Sequence, residues 1–244
     1  MIIIQGMSIN EAIPQEETEP RPELVIRAQT PEEEVDRVQW TLNRMGWYEQ
    51  HGYKPKIPDN PELAKPFSDE EKPDKLKLIL EDYKPELYEV GLSQLEAHRA
   101  QIEAVFPIFE QLRQEWGFKV FPQYQLVVTR YGMSGSYDSE TGRIIMRVND
   151  DGTFTRAQPH HTPIHEMVHI GVEEEIVQKY QLTQAEKERM VDLMVSILFK
   201  DLLPDYKIQN IGDSRIEEFV TSEIVTNLPE AIRQYTAIYP RKQE

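Results

Sequence analysis

The segment TPIHEMVHIGV, residues 162–172, limits the folds open to this chain more than any other stretch. Most of its positions are apolar, so a helix formed here has little surface suited to water. Apart from Thr162 at its start, the polar exceptions are His165, Glu166 and His169. Because the histidines are four residues apart, they share one helical face, one turn apart, with Glu166 next to the first. We expect a core helix with a polar cluster on one side.

Two imidazoles on one helical face can bind the same metal ion, and HExxH is a pattern typical of zinc sites. A zinc site that keeps an open position needs a third protein ligand. After His169, eighteen residues intervene before Glu188, and Glu188 and Asp192 again share one face of a predicted helix. Glu188 can reach the metal, and Asp192 can accept the outward N–H of a liganding imidazole. Glu174 and Glu217 remain alternative third ligands.

The combination of HExxH with ExxxD at this interval resembles the gluzincins, the thermolysin-like clan of zinc metallopeptidases, over roughly residues 120–200. The metzincin pattern HExxHxxGxxH does not fit, because Val172 and Glu175 occupy its Gly and His positions. The gluzincin resemblance implies that His165, His169 and Glu188 bind Zn²⁺. It also implies that Glu166 is the general base and that Asp192 orients a liganding histidine.

The resemblance also implies the reaction, hydrolysis of peptide bonds in a peptide or protein substrate. Glu166 would take a proton from the attacking water and pass it to the leaving amine. Gluzincins often use a downstream His, Tyr or Arg to stabilise the oxyanion, and Tyr206 and Arg215 are the candidates here. Two other functions stay open, a non-catalytic protein with a structural zinc site and a metal-dependent amidase acting on a non-peptide substrate.

The fold implied is α+β and zincin-like, with a small, mostly antiparallel sheet packed on an active-site helix and a glutamate helix. Residues 125–131 and 143–148 are rich in β-branched side chains and are separated by turn-forming residues, which predicts a hairpin. The resemblance suggests that residues 143–148 form the edge strand that pairs with an extended substrate. A purely structural strand is the alternative.

Helix starts are marked by short local patterns. The segments TPEE, from Thr30, SQLE, from Ser93, and TQAE, from Thr183, each place an N-cap Thr or Ser three residues before a Glu, as in a capping box. Thr162 followed by proline predicts the start of the HExxH helix.

The chain is predicted to have three parts. Residues 1–30 form a flexible acidic tail with a short strand at 23–28, residues 31–90 a helical and Pro-rich extension or linker, and residues 91–244 the zincin-like catalytic domain. The first ninety residues are a candidate inhibitory prosegment that covers the cleft. Aromatic residues at positions 40–53 favour a packed interface with the catalytic part over a ligand platform.

The amino-acid composition limits the classes of binding partner and of metal ligand that we expect. A net charge of −16 argues against binding to a nucleic-acid backbone. With no cysteine, the metal must be held by His, Asp or Glu. No apolar run is long enough to cross a bilayer and the first residues do not resemble a signal peptide, so we expect no membrane partner and a cytoplasmic location.

Overall fold

The computed structural model describes residues 21–222 and 227–240, in which helices combine with a four-stranded mixed sheet. The strands are β1 (Glu23–Ala28), β2 (Gln123–Thr129), β3 (Gly135–Asp138) and β4 (Arg143–Arg147). The helices are α1 (Pro31–Asn43), α2 (Met45–Gln50), α3 (Lys72–Asp82), α4 (Pro85–Ala97), α5 (Arg99–Glu103), α6 (Phe106–Trp116), α7 (His161–Val172), α8 (Gln184–Leu198) and α9 (Leu228–Ile238). A π-helical segment, Glu173–Gln178, follows α7, and 3₁₀ turns occupy Asp69–Glu71 and Ser214–Glu218.

The predicted helix start at Ser93 is wrong, because Ser93 lies within α4, which begins at Pro85. Of the other three predicted starts, two are confirmed. Thr30 and Thr183 are the N-caps of α1 and α8, and each forms a complete capping box with the Glu three residues later. The third start is wrong by a short distance. Helix α7 begins at His161, because its first helical bond runs from the Ile164 N–H to the His160 carbonyl, which leaves Thr162 inside the first turn.

The sheet corrects two predictions. Its order is β1-β2-β4-β3, with β1/β2 and β2/β4 parallel and only β3/β4 antiparallel. The mostly antiparallel sheet is therefore wrong, and so is a hairpin between β2 and β4. The turn signals belong instead to a tight connection between β3 and β4, where Gly142 has a φ of +71° and donates its N–H to the Asp138 carbonyl.

The predicted substrate-pairing edge at residues 143–148 is also wrong. Strand β4 lies between β2 and β3, so both of its edges are already paired, and β3 is the outer strand. Helix α7 packs against β3 and β4, and its apolar side chains, among them Ile164, Met167 and Val168, are fully buried. The sheet thus places its β3 edge beside the HExxH helix.

The N-terminal part of the described chain is built into this fold. The predicted strand at 23–28 is confirmed, and it pairs with β2 while Leu24 enters the main core. Helix α4 spans the predicted boundary near residue 90, and Tyr88 on it is buried and donates a hydrogen bond to Glu34 at 2.7 Å. The remainder of the predicted tail, residues 1–20, lies outside the described residues.

A second apolar cluster lies beside the main core, where α1 packs on α3. Its buried members are Val35, Val38, Leu42, Leu63, Phe67, Ile79 and Tyr131. Across residues 21–222 and 227–240, no helix combines the length and the apolar character needed to cross a membrane.

Candidate metal centre

Three predicted ligands converge between α7 and α8. His165 and His169 project from α7, and Glu188 projects from the first half of α8. The two Nε2 atoms are 3.0 Å apart, and Glu188 Oε2 lies 3.7 Å from His165 Nε2 and 3.4 Å from His169 Nε2. Within the described ranges these three residues are the one group of His and acidic side chains close enough to share an ion.

The spacing of these atoms suits a metal. Ligands about 2.0–2.1 Å from a tetrahedral zinc ion stand roughly 3.3 Å from one another. The three observed separations lie on either side of that distance. Two imidazoles and one carboxylate also suit other divalent transition metals, so the donor set by itself does not select zinc.

A hydrogen-bonded chain fixes the orientation of His165. Its Nδ1 lies 2.8 Å from the Tyr206 hydroxyl, which donates to Asp192 Oδ1 at 2.5 Å. Asp192 is fully buried, accepts the Gln209 N–H at 2.8 Å and lies 3.4 Å from His165 Nδ1. With the proton on Nδ1, the Nε2 lone pair of His165 is directed at Glu188 and His169. Asp192 therefore orients His165 from its Nδ1 side, partly through the Tyr206 hydroxyl.

His169 is held by packing. The ring of Tyr137, from β3, stacks on its imidazole with centroids 5.1 Å apart and planes 9° from parallel. Its Nδ1 is buried and has no hydrogen-bond partner in the described part of the chain. Ring stacking, together with the Nε2 contacts to His165 and Glu188, sets the orientation of this side chain.

Burial and charge act in opposite directions on the three groups. Burial lowers the pKa of His169 to about 4, more than its hydrogen bond to Glu188 raises it. For His165 burial also lowers the pKa, but the hydrogen bond to Glu188 and the charges of Glu166 and Asp192 together outweigh it. The pKa of His165 is therefore above its usual value. Burial would raise the pKa of Glu188, yet both imidazoles hold it well below the usual range. The carboxylate is thus kept ionised beside the two rings.

Glu166 lies next to the cluster in a confined position. Burial raises the pKa of its carboxyl to about 7, although the charge of His165 opposes the shift. The backbone of β3 comes very close, since a Cβ added at Gly135 would lie 2.5 Å from Glu166 Oε1 and 2.5 Å from Thr162 Cγ2. Only glycine lets the strand approach the carboxylate this closely.

The cluster opens into a cleft of about 660 Å³. One wall is the 133–139 segment with β3, and a second wall comes from α1, α2 and the loop that follows. That second wall carries Trp40, Arg44, Trp47 and Tyr53. The aromatic residues expected to form a packed interface therefore face the cleft, at least in part.

The other candidate residues are not brought into the centre. Glu174 is paired with Lys119, and Glu217 lies 3.5 Å from Arg189. Arg215 is bonded to Asp213 and does not line the cleft, while the Tyr206 hydroxyl is used behind His165. Neither Tyr206 nor Arg215 is therefore placed as predicted for an oxyanion donor.

Tyr53, a cleft residue, was predicted from the sequence only as part of an aromatic packing interface and not as a residue of the site. It precedes the HExxH segment by more than a hundred positions, and no local pattern connects the two.

Comparison of the chain with protein-family models, with curated proteins and with solved structures finds no match.

Proposed function

We propose that the protein is a zinc-dependent hydrolase that cleaves peptide bonds. The observation that carries this proposal is the convergence of His165, His169 and Glu188 beside the carboxylate of Glu166 at an open cleft. A zinc site that only joins helices is usually closed by four ligands and rich in cysteine. This centre offers three ligands on a cleft of about 660 Å³, which favours catalysis.

Zinc bound by the three ligands would supply Lewis acidity, lowering the pKa of water and polarising a carbonyl oxygen. The protein's own side chains would carry out the proton transfers and hold the metal ligands in position. Glu166 is placed to take the proton of the attacking water and to deliver it to the leaving amine. Tyr206 and Asp192 keep His165 in the tautomer that leaves Nε2 free.

We further infer that an extended substrate pairs with the edge of the sheet, as in a zincin-like fold, and that the pairing strand is β3 instead of β4. The Arg147 N–H donates to the Ser134 carbonyl at 3.1 Å, which makes these two residues a hydrogen-bonded pair. Such pairs alternate along an antiparallel ladder, so Ser136 also bonds to β4. The peptide groups of Gly135 and Tyr137 then point outward to the cleft, where an extended substrate can pair with them.

The test is metal content by mass spectrometry, combined with hydrolysis of a peptide library. We expect about one zinc per chain in the wild type, loss in Glu188→Ala and retention in Glu166→Gln. Loss of the general base should lower hydrolysis by a factor of about 10²–10⁴ in Glu166→Gln. Glu174→Ala is the matched control, since this exposed residue should change neither quantity.

Three outcomes would count against the proposal. A wild-type protein that binds no metal even after zinc is supplied removes its basis. Full activity of Glu166→Gln removes the assignment of the base. Zinc binding without cleavage of any peptide directs the search to the two alternatives, a structural site or an amidase for non-peptide substrates.

A further inference from the structure

The charge of the cleft differs from the charge of the whole protein. The chain carries a net charge of −16, and most arginines of the described part lie in ion pairs with carboxylates, as Arg130 does with Asp82. Two arginines that line the cleft, Arg44 and Arg156, have no carboxylate partner within residues 21–222 and 227–240. Arg156 lies beside the Tyr206 hydroxyl and acts electrostatically on Glu166.

The other charged groups of the cleft largely cancel. Lys187 lies 3.9 Å from Glu173. Glu188 faces the two histidines and Glu166 lies beside them, so a divalent ion at the centre would be balanced by these two carboxylates. Arg44 and Arg156 are left as an excess of positive charge, which favours a negatively charged occupant.

Arg44 is prepared for a carboxylate by its stacking. Its guanidinium lies 4.0 Å from the centre of the Trp40 ring. Stacking occupies the flat face of the guanidinium and leaves the N–H groups at its edge free for bidentate contact with a carboxylate. Trp40 is 38% exposed and Trp47 is 41% exposed, and both line the same cleft.

We propose that the cleft selects acidic peptides, with Arg44 binding a carboxylate side chain of the substrate and Arg156 binding a second one nearer to Glu166. The exposed parts of the Trp40 and Trp47 side chains pack against the apolar parts of the same peptide. This inference deepens the proposed peptidase function and rests on it. It assigns substrate recognition to α1 and α2, far in sequence from the HExxH helix.

The first experiment compares matched peptides on the zinc-loaded protein. Each pair differs only in Glu against Gln at one position along the peptide. We expect kcat/KM to be about tenfold higher for Glu at the preferred positions, as for a charge-assisted hydrogen bond. Arg44→Gln should remove the preference at one of these positions, and Arg44→Glu should favour Lys there. Arg233→Gln, an exposed arginine on α9 outside the cleft, should behave as the wild type.

The second experiment measures binding without turnover. The Glu166→Gln protein is titrated with the same Glu and Gln peptides while tryptophan fluorescence is followed, since Trp40 and Trp47 lie at the cleft. We expect a dissociation constant about tenfold lower for the Glu peptide, with a difference that shrinks as salt screens the charges. Adding Arg44→Gln to this protein should abolish the difference.

The two experiments separate the inference from the proposed function. Equal hydrolysis and equal binding of Glu and Gln peptides overturn the acidic preference while leaving the peptidase intact. A preference that persists in Arg44→Gln and in Arg156→Gln overturns the assignment of these arginines. Selective binding of acidic peptides without hydrolysis of any peptide supports the inference and overturns the proposed reaction.

Discussion

We infer that the hydroxyl of Tyr53, which lines the cleft, donates a hydrogen bond to a developing oxyanion. Its ring stacks on Trp47 with centroids 5.6 Å apart, which holds the side chain on the cleft wall. Burial raises the pKa of Tyr53, and the charges of Glu188 and Glu166 raise it further. Its hydroxyl is therefore kept protonated within electrostatic reach of both carboxylates. A preorganised O–H donor at such a position stabilises charge that develops during reaction.

We predict that Tyr53→Phe lowers kcat about 100-fold and leaves KM nearly unchanged, because the lost hydrogen bond forms mainly in the transition state. Zinc content should stay at the wild-type level, since Tyr53 is not a ligand. Tyr83→Phe is the control, as this half-buried tyrosine donates to the Gln29 carbonyl away from the cleft. Steady-state kinetics on one good peptide provides the measurement, and an unchanged kcat would exclude Tyr53 as a donor.

The site was predictable where its residues follow a helical period. His165, Glu166 and His169 lie within one turn and a half, and Glu188 and Asp192 within a second, so each set is fixed locally by the 3.6-residue repeat. Tyr53 and Gly135 lie on other elements and reach the cluster only through tertiary packing, which leaves no periodic signal.

Among the helices and strands, those determined by local sequence were likewise easier to predict than those determined by distant parts of the chain. The capping boxes at Thr30 and Thr183 predicted α1 and α8 correctly, because every group they need lies within four residues. The same pattern at Ser93 lies inside α4 and does not mark a helix start. The direction of β4 against β2 depends on how the chain returns between them. The insertion of β3 at 135–138 makes that pair parallel, and strand propensity alone carries no information about it.

At the N-terminal end of α7, three histidine rings pack together, with His98 stacked on His160 and His161 edge-on to it. His160 lies between His98, at 4.6 Å, and His161, at 4.7 Å between ring centroids. Burial, followed by the charges of His161 and His98, lowers the pKa of His160 to about 4. Folding therefore favours the neutral ring, whereas in the unfolded chain the pKa stays near 6.5. Stability from this residue is present above about pH 6.5 and is lost as the pH falls toward 4.

We predict that His160→Phe, which keeps an aromatic ring but removes the titrating group, loses less thermal stability than the wild type between pH 7 and pH 5. At pH 7 the two proteins should differ little, because the buried Nδ1 of His160 has no hydrogen-bond partner in the described ranges to lose. Melting temperatures at several pH values and equal zinc give the comparison. His51→Phe, at an exposed position, should follow the wild type, and parallel curves for His160→Phe would contradict the assignment.

On the scale of the whole molecule, the described N-terminal region forms part of both the core and the cleft. Strand β1 pairs with β2, and Tyr88 links α4 to Glu34, which also accepts a hydrogen bond from Thr129 at 2.7 Å. Residues 40–53 supply one wall of the cleft. Removing the region should therefore destroy the fold, whereas removing an inhibitory prosegment would raise activity.

A point substitution tests this integration without a deletion. Leu24 is 4% exposed in the main core, so we predict that Leu24→Ala lowers the free energy of unfolding by about 2–4 kcal/mol. Leu80 is 54% exposed, and Leu80→Ala should change it by less than about 0.5 kcal/mol. Chemical denaturation of both variants beside the wild type measures the difference. If Leu24→Ala were as stable as Leu80→Ala, β1 would contribute little to the core, and the region before α4 would behave as an appendage.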